Sequence, residues 1–241
     1  MSDQDAAQAV YGSTRLPDGG PLYVETDFTR FIREPFNAVT AFVFVLIVVV
    51  WLIRLRGRYK QHPFILTCLP ILLAGGVGGT IYHAFRQSYA MFLLDVIPIG
   101  LLVVMGSIYL WIRLRPRWWH IVIVVALCMI FPSLFVFHVE THVAIIIHYA
   151  VLALLILVPV AIVLQRTRFR HAHLVWLTLV CFGFGLLFRF LDPMSRPVLP
   201  MGSHWLWHLC GAGATAILAE YFYRLETEPI VPLTESATSK A

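Results

Sequence analysis

Long apolar runs alternate with short basic stretches along this chain. A helix needs about 20 mostly apolar residues to cross the hydrocarbon core of a bilayer. Seven segments meet that need: 36–56, 64–85, 90–112, 118–137, 142–165, 172–191 and 204–224. The pattern predicts an all-α integral membrane protein, a seven-transmembrane-helix bundle spanning residues 36–224. Residues 1–35 are polar and form an outer N-terminal arm. Residues 225–241 read as a disordered cytoplasmic tail. No signal-peptide pattern precedes the first run, so that helix is expected to act as its own insertion signal.

The charges between the runs give an orientation. Arg54, Arg56, Arg58 and Lys60 follow the first run, Arg113, Arg115 and Arg117 the third, and Arg166, Arg168 and Arg170 the fifth. The even-numbered gaps hold few basic residues. Basic loops stay in the cytoplasm, which puts the N-terminus outside and the C-terminus inside. The 192–203 loop, rich in proline, is expected to fold over the outer face.

Composition agrees with this class. The 241 residues are 59% hydrophobic and 13% charged, with mean hydropathy +0.80, against about 45–50% and 25% in soluble domains. The formal net charge of +5 resides in short loops rather than in a stripe that could follow phosphates, which argues against a nucleic-acid partner. Cys68, Cys128, Cys181 and Cys210 each fall inside an apolar run with no CxxC pair, so they read as small packing residues. Asn37-Ala38-Val39 is not a glycosylation acceptor.

Ionisable residues inside spanning segments are candidates for function. His83 lies near the outer end of the second segment, Asp95 near that of the third, and His204 and His208 in the first turns of the seventh. Chain parity brings all four to one depth in the outer leaflet. Residues at i and i+4 share a helix face, so His204 and His208 can address one ion and His83 can add a third nitrogen. Three protein ligands plus water is the arrangement of catalytic zinc. Asp95 is then placed to take a proton from that water. A plainer reading stays open. His204 suits the headgroup region beside Trp205 and Trp207, and His83 suits a hydrogen bond between helices. His138-Val-Glu-Thr-His142 is a second His-x-x-x-His, with His148 further along, and reads as solvated surface. His62, His120, His171 and His173 read as headgroup-level residues beside the basic loops.

Gly78-Gly79-Thr80-Ile81-Tyr82-His83, Leu94-Asp95-Val96-Ile97-Pro98-Ile99 and Gly202-Ser203-His204-x-x-Trp207-His208 resemble three motifs of the alkaline ceramidase family, part of the CREST superfamily of seven-helix membrane hydrolases and receptors. Glu34-Pro35-Phe36-Asn37 resembles its N-terminal motif. The resemblance implies a zinc amidase of sphingolipid metabolism that cleaves the N-acyl bond of ceramide or a related lipid. It implies His83, His204 and His208 as zinc ligands and Asp95 as general base. It also implies a calcium ion held by the outer arm through Tyr23, Glu25, Asp27 and Glu34, carboxylates suiting a hard cation. Two positions depart from the family. Gly79 stands where a serine helps polarise the scissile carbonyl, with Thr80 adjacent as a possible substitute if the glycines distort the helix. Leu22 stands where the first acidic calcium ligand is expected, with Asp18 upstream. A seven-helix receptor or lipid-binding protein with a structural zinc site is the alternative, and a transporter using these residues as a proton relay ranks third.

Overall fold

In the computed structural model the chain is described over residues 16–114 and 141–228 and at positions 119, 122, 126, 130 and 230, with residues 141–146 known by their backbone alone. Every regular element among the described residues is a helix. The first apolar run forms α1 (Pro35–Ala41) and α2 (Val43–Leu55), interrupted only at Phe42. Beyond them come α3 (Pro63–Phe85), α4 (Tyr89–Leu114), α5 (Thr141–Arg166), α6 (Ala172–Leu191) and α7 (His204–Thr227). Pro35 and Pro63 open their helices, where a missing N–H costs nothing and the fixed φ favours the first turn. The fourth expected segment lies outside the described residues, apart from helical Trp119, Val122, Ala126 and Ile130.

Among the described residues, five helices are long and apolar enough to cross a membrane: Pro35–Leu55, Pro63–Phe85, Tyr89–Leu114, Ile147–Arg166 and Ala172–Met194. By length and composition this is an all-α, multi-pass membrane protein. Large apolar side chains on the helices face outward, among them Val39, Ile53, Ile112 and Trp176. On a soluble bundle such faces would drive aggregation, whereas in lipid they match their solvent. The 24 residues of α7 reach about 36 Å, yet α7 is not among the five. His204, His208 and Glu220 lower its hydropathy.

The helices close into a ring. α3 packs on α1, α2, α4 and α7, α4 on α5, α5 on α6, α6 on α7, and α7 returns to α1 and α2. Inside lies a cavity of about 420 Å³ lined by all of them. At one end of it an apolar core gathers Trp51, Leu55, Leu69, Leu110, Val163 and Tyr221. That end is also tied by polar contacts. The carboxylate of Glu226 accepts from the Phe64 N–H at 2.6 Å and meets His62 Nδ1 at 3.2 Å, while Glu220 pairs with Arg54 and Arg224. His62 is therefore buried within the protein, at the start of α3. The first turn of α3 has orphan N–H groups to satisfy, and the acceptor that meets them also holds the imidazole. α7 runs to Thr227, so the helix takes in the start of the expected tail, whose residues 229 and 231–241 lie outside the described set.

Close helix approach depends on small residues. A Cβ on Gly78 would stand 2.4 Å from Leu94 Cβ, while one on Gly183 would meet nothing within 4 Å. Gly78→Ala is expected to cost about 1–3 kcal/mol by overpacking and to lower the melting temperature of the detergent-solubilised protein. Gly183→Ala is expected to leave it unchanged, as read by differential scanning fluorimetry of both variants.

Candidate metal centre

Helix direction assembles the site. α3 ends, and α1, α4 and α7 begin, at the same end of the bundle. His83 from α3 and His204 and His208 from α7 are all buried, and their ligand nitrogens lie within 4.8 Å of one another. Among the described residues this is the one group of three or more His, Cys, Asp or Glu side chains so arranged. Asp95 of α4 points in, with Oδ2 3.8 Å from His83 Nε2, beyond direct hydrogen-bond length.

Two of the rings are fixed by the partner of their other nitrogen. Glu34 Oε2 lies 2.5 Å from His83 Nδ1. A carboxylate only accepts, so Nδ1 carries the proton and the lone pair of Nε2 is free. His208 Nδ1 donates to the Asn37 carbonyl at 3.1 Å and also meets Thr40 Oγ1, which frees its Nε2. His204 stacks on the Tyr23 ring, centroids 3.8 Å apart. His83 Nε2 and His204 Nδ1 are buried with no hydrogen-bond partner in the protein. Each such group costs about 1–3 kcal/mol if left alone. A metal ion held by the cluster would give His83 Nε2 its partner, and imidazole nitrogens suit zinc. The arrangement fits a metal by its own chemistry.

The arm is held down by a cation of its own. Arg86, the residue that ends α3, has a fully buried side chain and a left-handed backbone (φ 47°). Its guanidinium donates to Asp18 Oδ2 at 2.7 Å, to the Pro21 carbonyl at 2.9 Å and to Glu34 Oε1. Burial works against ionising Glu34. The His83 N–H and Arg86 outweigh it and hold the carboxyl below its usual range.

The residues expected to hold calcium all have partners within the protein. The Glu34 oxygens are spent on His83, Arg86, Thr26 and Asn37. Glu25 accepts the N–H groups of Phe36 and Asn37 at the start of α1, Asp27 serves Thr29 and Arg30, and the Tyr23 carbonyl accepts from Thr26. Among the described residues, these acids are not in a metal-ready cluster like that of the histidines.

The Gly79 departure has a geometric meaning. A Cβ there would lie 2.4 Å from Asp95 Oδ1, so the space of a side chain is filled by the carboxylate. Thr80 does not replace the hydroxyl. α3 is unbroken through the glycines, and Thr80 Oγ1 donates to the Gly76 carbonyl at 2.6 Å. Of the predicted residues, then, His83, Asp95, His204 and His208 come together and Thr80 does not.

Sequence reasoning missed the supports. Asp192 accepts from Ser203 and His204 N–H at 2.7 and 3.0 Å and from Val24 N–H, so one carboxylate caps α7 and binds the arm. Gly202, at φ +72°, lets it approach. The expected folding of the 192–203 loop over this end is realised through that residue. His148 lines the cavity. His138, Glu140 and the side chain of His142 lie outside the described residues.

Metal analysis by inductively coupled plasma mass spectrometry is expected to find zinc in the purified protein and to lose it in His83→Ala. Glu34→Gln is expected to weaken zinc affinity about 10–100-fold, read by chelator competition. A pH effect is expected from Glu25. Burial, opposed by the Phe36 and Asn37 N–H groups, pushes its carboxyl up to about 7. A raised acid favours the folded arm most below the ordinary carboxylate range, and that contribution fades as pH rises through about 7. Trypsin cleavage at exposed Arg30 should therefore quicken from pH 6 to 8, and Glu25→Gln should flatten the change.

No family of known proteins, no curated protein and no solved structure matches the chain.

Proposed function

We propose that this protein is a zinc-dependent amide hydrolase that cleaves the N-acyl bond of ceramide or a related lipid, with its seven-helix bundle oriented N-terminus outward and its site toward the outer leaflet. The observation that carries the reading is the buried His83–His204–His208 cluster, with two partnerless nitrogens, opening beside Asp95 onto an apolar cavity. When bound, zinc lowers the pKa of a coordinated water towards about 7 and polarises a carbonyl.

The residues divide the remaining work. Hydrolysis adds a water oxygen to the acyl carbon, breaks the C–N bond and moves a proton to the amine nitrogen. Asp95 stands at the right place to take that proton and return it to the leaving amine. Gly79 keeps Asp95 tight against α3. Glu34 holds the proton on His83 Nδ1, and Asn37 does so for His208, so neither ring can turn. His208 and Asp95 line the cavity together with Leu102, Leu152 and Phe222, a wall that suits an acyl chain and keeps bulk water away.

A second reading, a lipid-binding protein or receptor that keeps zinc for structure, draws on Gly79. One missing carbonyl-polarising donor typically costs about 10²–10³ in rate. A fluorescent-ceramide assay on purified, zinc-loaded protein separates the two. Hydrolysis abolished by Asp95→Asn, with zinc content unchanged, is the expected result. Absence of turnover across a panel of N-acyl lipids, with zinc present, sinks the hydrolase reading.

A further inference from the structure

Arg189 lies in the last turn of α6. An arginine there would ordinarily extend its side chain to the headgroups. Instead it turns inward. Its guanidinium carbon lies 5.5 Å from the centre of the Tyr149 ring and 5.5 Å from that of Trp207, and the residue lines the cavity with Asp95 and His208. The Tyr23 hydroxyl is within its reach, and that tyrosine stacks on His204. Arg189 thus stands one side chain away from the histidine cluster.

No carboxylate among the described residues forms an ion pair with it. The acids at this end are spent elsewhere: Glu34 and Asp18 on Arg86, and Asp192 on backbone N–H groups. Asp95 feels its charge across the cavity but faces His83. Two aromatic faces stabilise a cation only in part. A charge at membrane depth without a full partner marks a ligand site. The rest of the cavity is apolar and, at about 420 Å³, falls within the roughly 300–1,000 Å³ of small-molecule sites. Its charged side chains, Asp95 and Arg189, stand at the metal end with His208. That is the outline of a molecule with an apolar tail and a single negative end.

We propose that Arg189 binds an oxyanion at the polar end of an acyl-chain amphiphile seated in the cavity. Resting on the hydrolase reading, the preferred substrate is then an N-acyl lipid with a carboxylate or phosphate close to the amide. The same guanidinium fits the carboxylate of a released acyl chain. Guanidinium recognises both through paired N–H donors.

The test is binding, so it does not depend on turnover. Displacement of a fluorescent fatty acid from the purified protein is measured with N-palmitoylglycine, palmitate and the neutral N-palmitoylethanolamine. At least one anionic ligand is expected to bind about tenfold or more tightly than the neutral one. Arg189→Gln is expected to remove that advantage and Arg189→Lys to keep part of it. Loss for N-palmitoylglycine alone assigns the oxyanion to the headgroup, and loss for palmitate alone assigns it to the released chain. Equal affinity of all three for the wild type, or an equal loss of all three in Arg189→Gln, overturns the proposal. Equal affinities in the wild type overturn the proposal even where the variants fail to fold. A protein that binds as expected yet cleaves nothing would refute the hydrolase reading and leave this one standing.

Discussion

A fully buried arginine at the end of α3 meets two carboxylates, Asp18 and Glu34, that come from the arm preceding α1. Removing one partner of such a pair leaves an uncompensated charge at a cost of about 3–5 kcal/mol. The left-handed backbone of Arg86 adds a cost of about 1–2 kcal/mol, so the ion pairs must outweigh it. The influence of this contact extends well beyond the arm. With one oxygen on Arg86, Glu34 turns the other onto His83 Nδ1, and the imidazole keeps one tautomer and one orientation. Arg33 extends the same seam, its N–H donating to the Ala84 carbonyl at 2.9 Å and its side chain to the Arg86 carbonyl. The arm therefore belongs to the metal centre, as the outer shell that fixes a ligand.

The far side of the centre obeys a parallel logic with a different carboxylate. Asp192 binds the first N–H groups of α7 and the Val24 N–H of the arm, which seats Tyr23 against His204. Arm, α3 and α7 are locked together by two acids. The third acid, Asp95, stays outside both locks, with a side chain 21% exposed and facing the cavity. A carboxylate with no structural duty beside a set of metal-ready nitrogens is the arrangement that proton transfer requires.

Much of this was legible in the sequence, for identifiable reasons. A span of about 20 apolar residues is a strong constraint, so α2 to α6 stand close to where the runs place them. The i, i+4 spacing of His204 and His208 guaranteed a shared face, and helix parity put His83 and Asp95 at their level. The supports were hidden because their partners are far apart in the chain. Arg86 looked like a loop charge and Asp192 like part of a proline-rich turn, since neither position shows in one dimension which acid or amide it will meet. Thr80 misled for a local reason: on a regular helix its hydroxyl finds the carbonyl four residues back before anything else. The partners of the calcium set were hidden too, because four oxygen donors in one arm look alike until each is seen beside its own N–H, hydroxyl or guanidinium.

The seam between Asp192 and Val24 also sets an order in time. These residues lie 168 positions apart, which at 5–20 residues per second is about 8–34 s of synthesis. For most of that interval the arm, α1 and α3 already exist while α7 does not. Asp18, Glu34, His83 and Arg86 all belong to the part made first, and Arg86 offsets one of the two carboxylate charges there. The seam of Arg86 with its two acids can thus form before His204 and His208 are made, and α7 enters as a closing piece. The order of synthesis, as much as the hold on His83, gives the buried arginine its place.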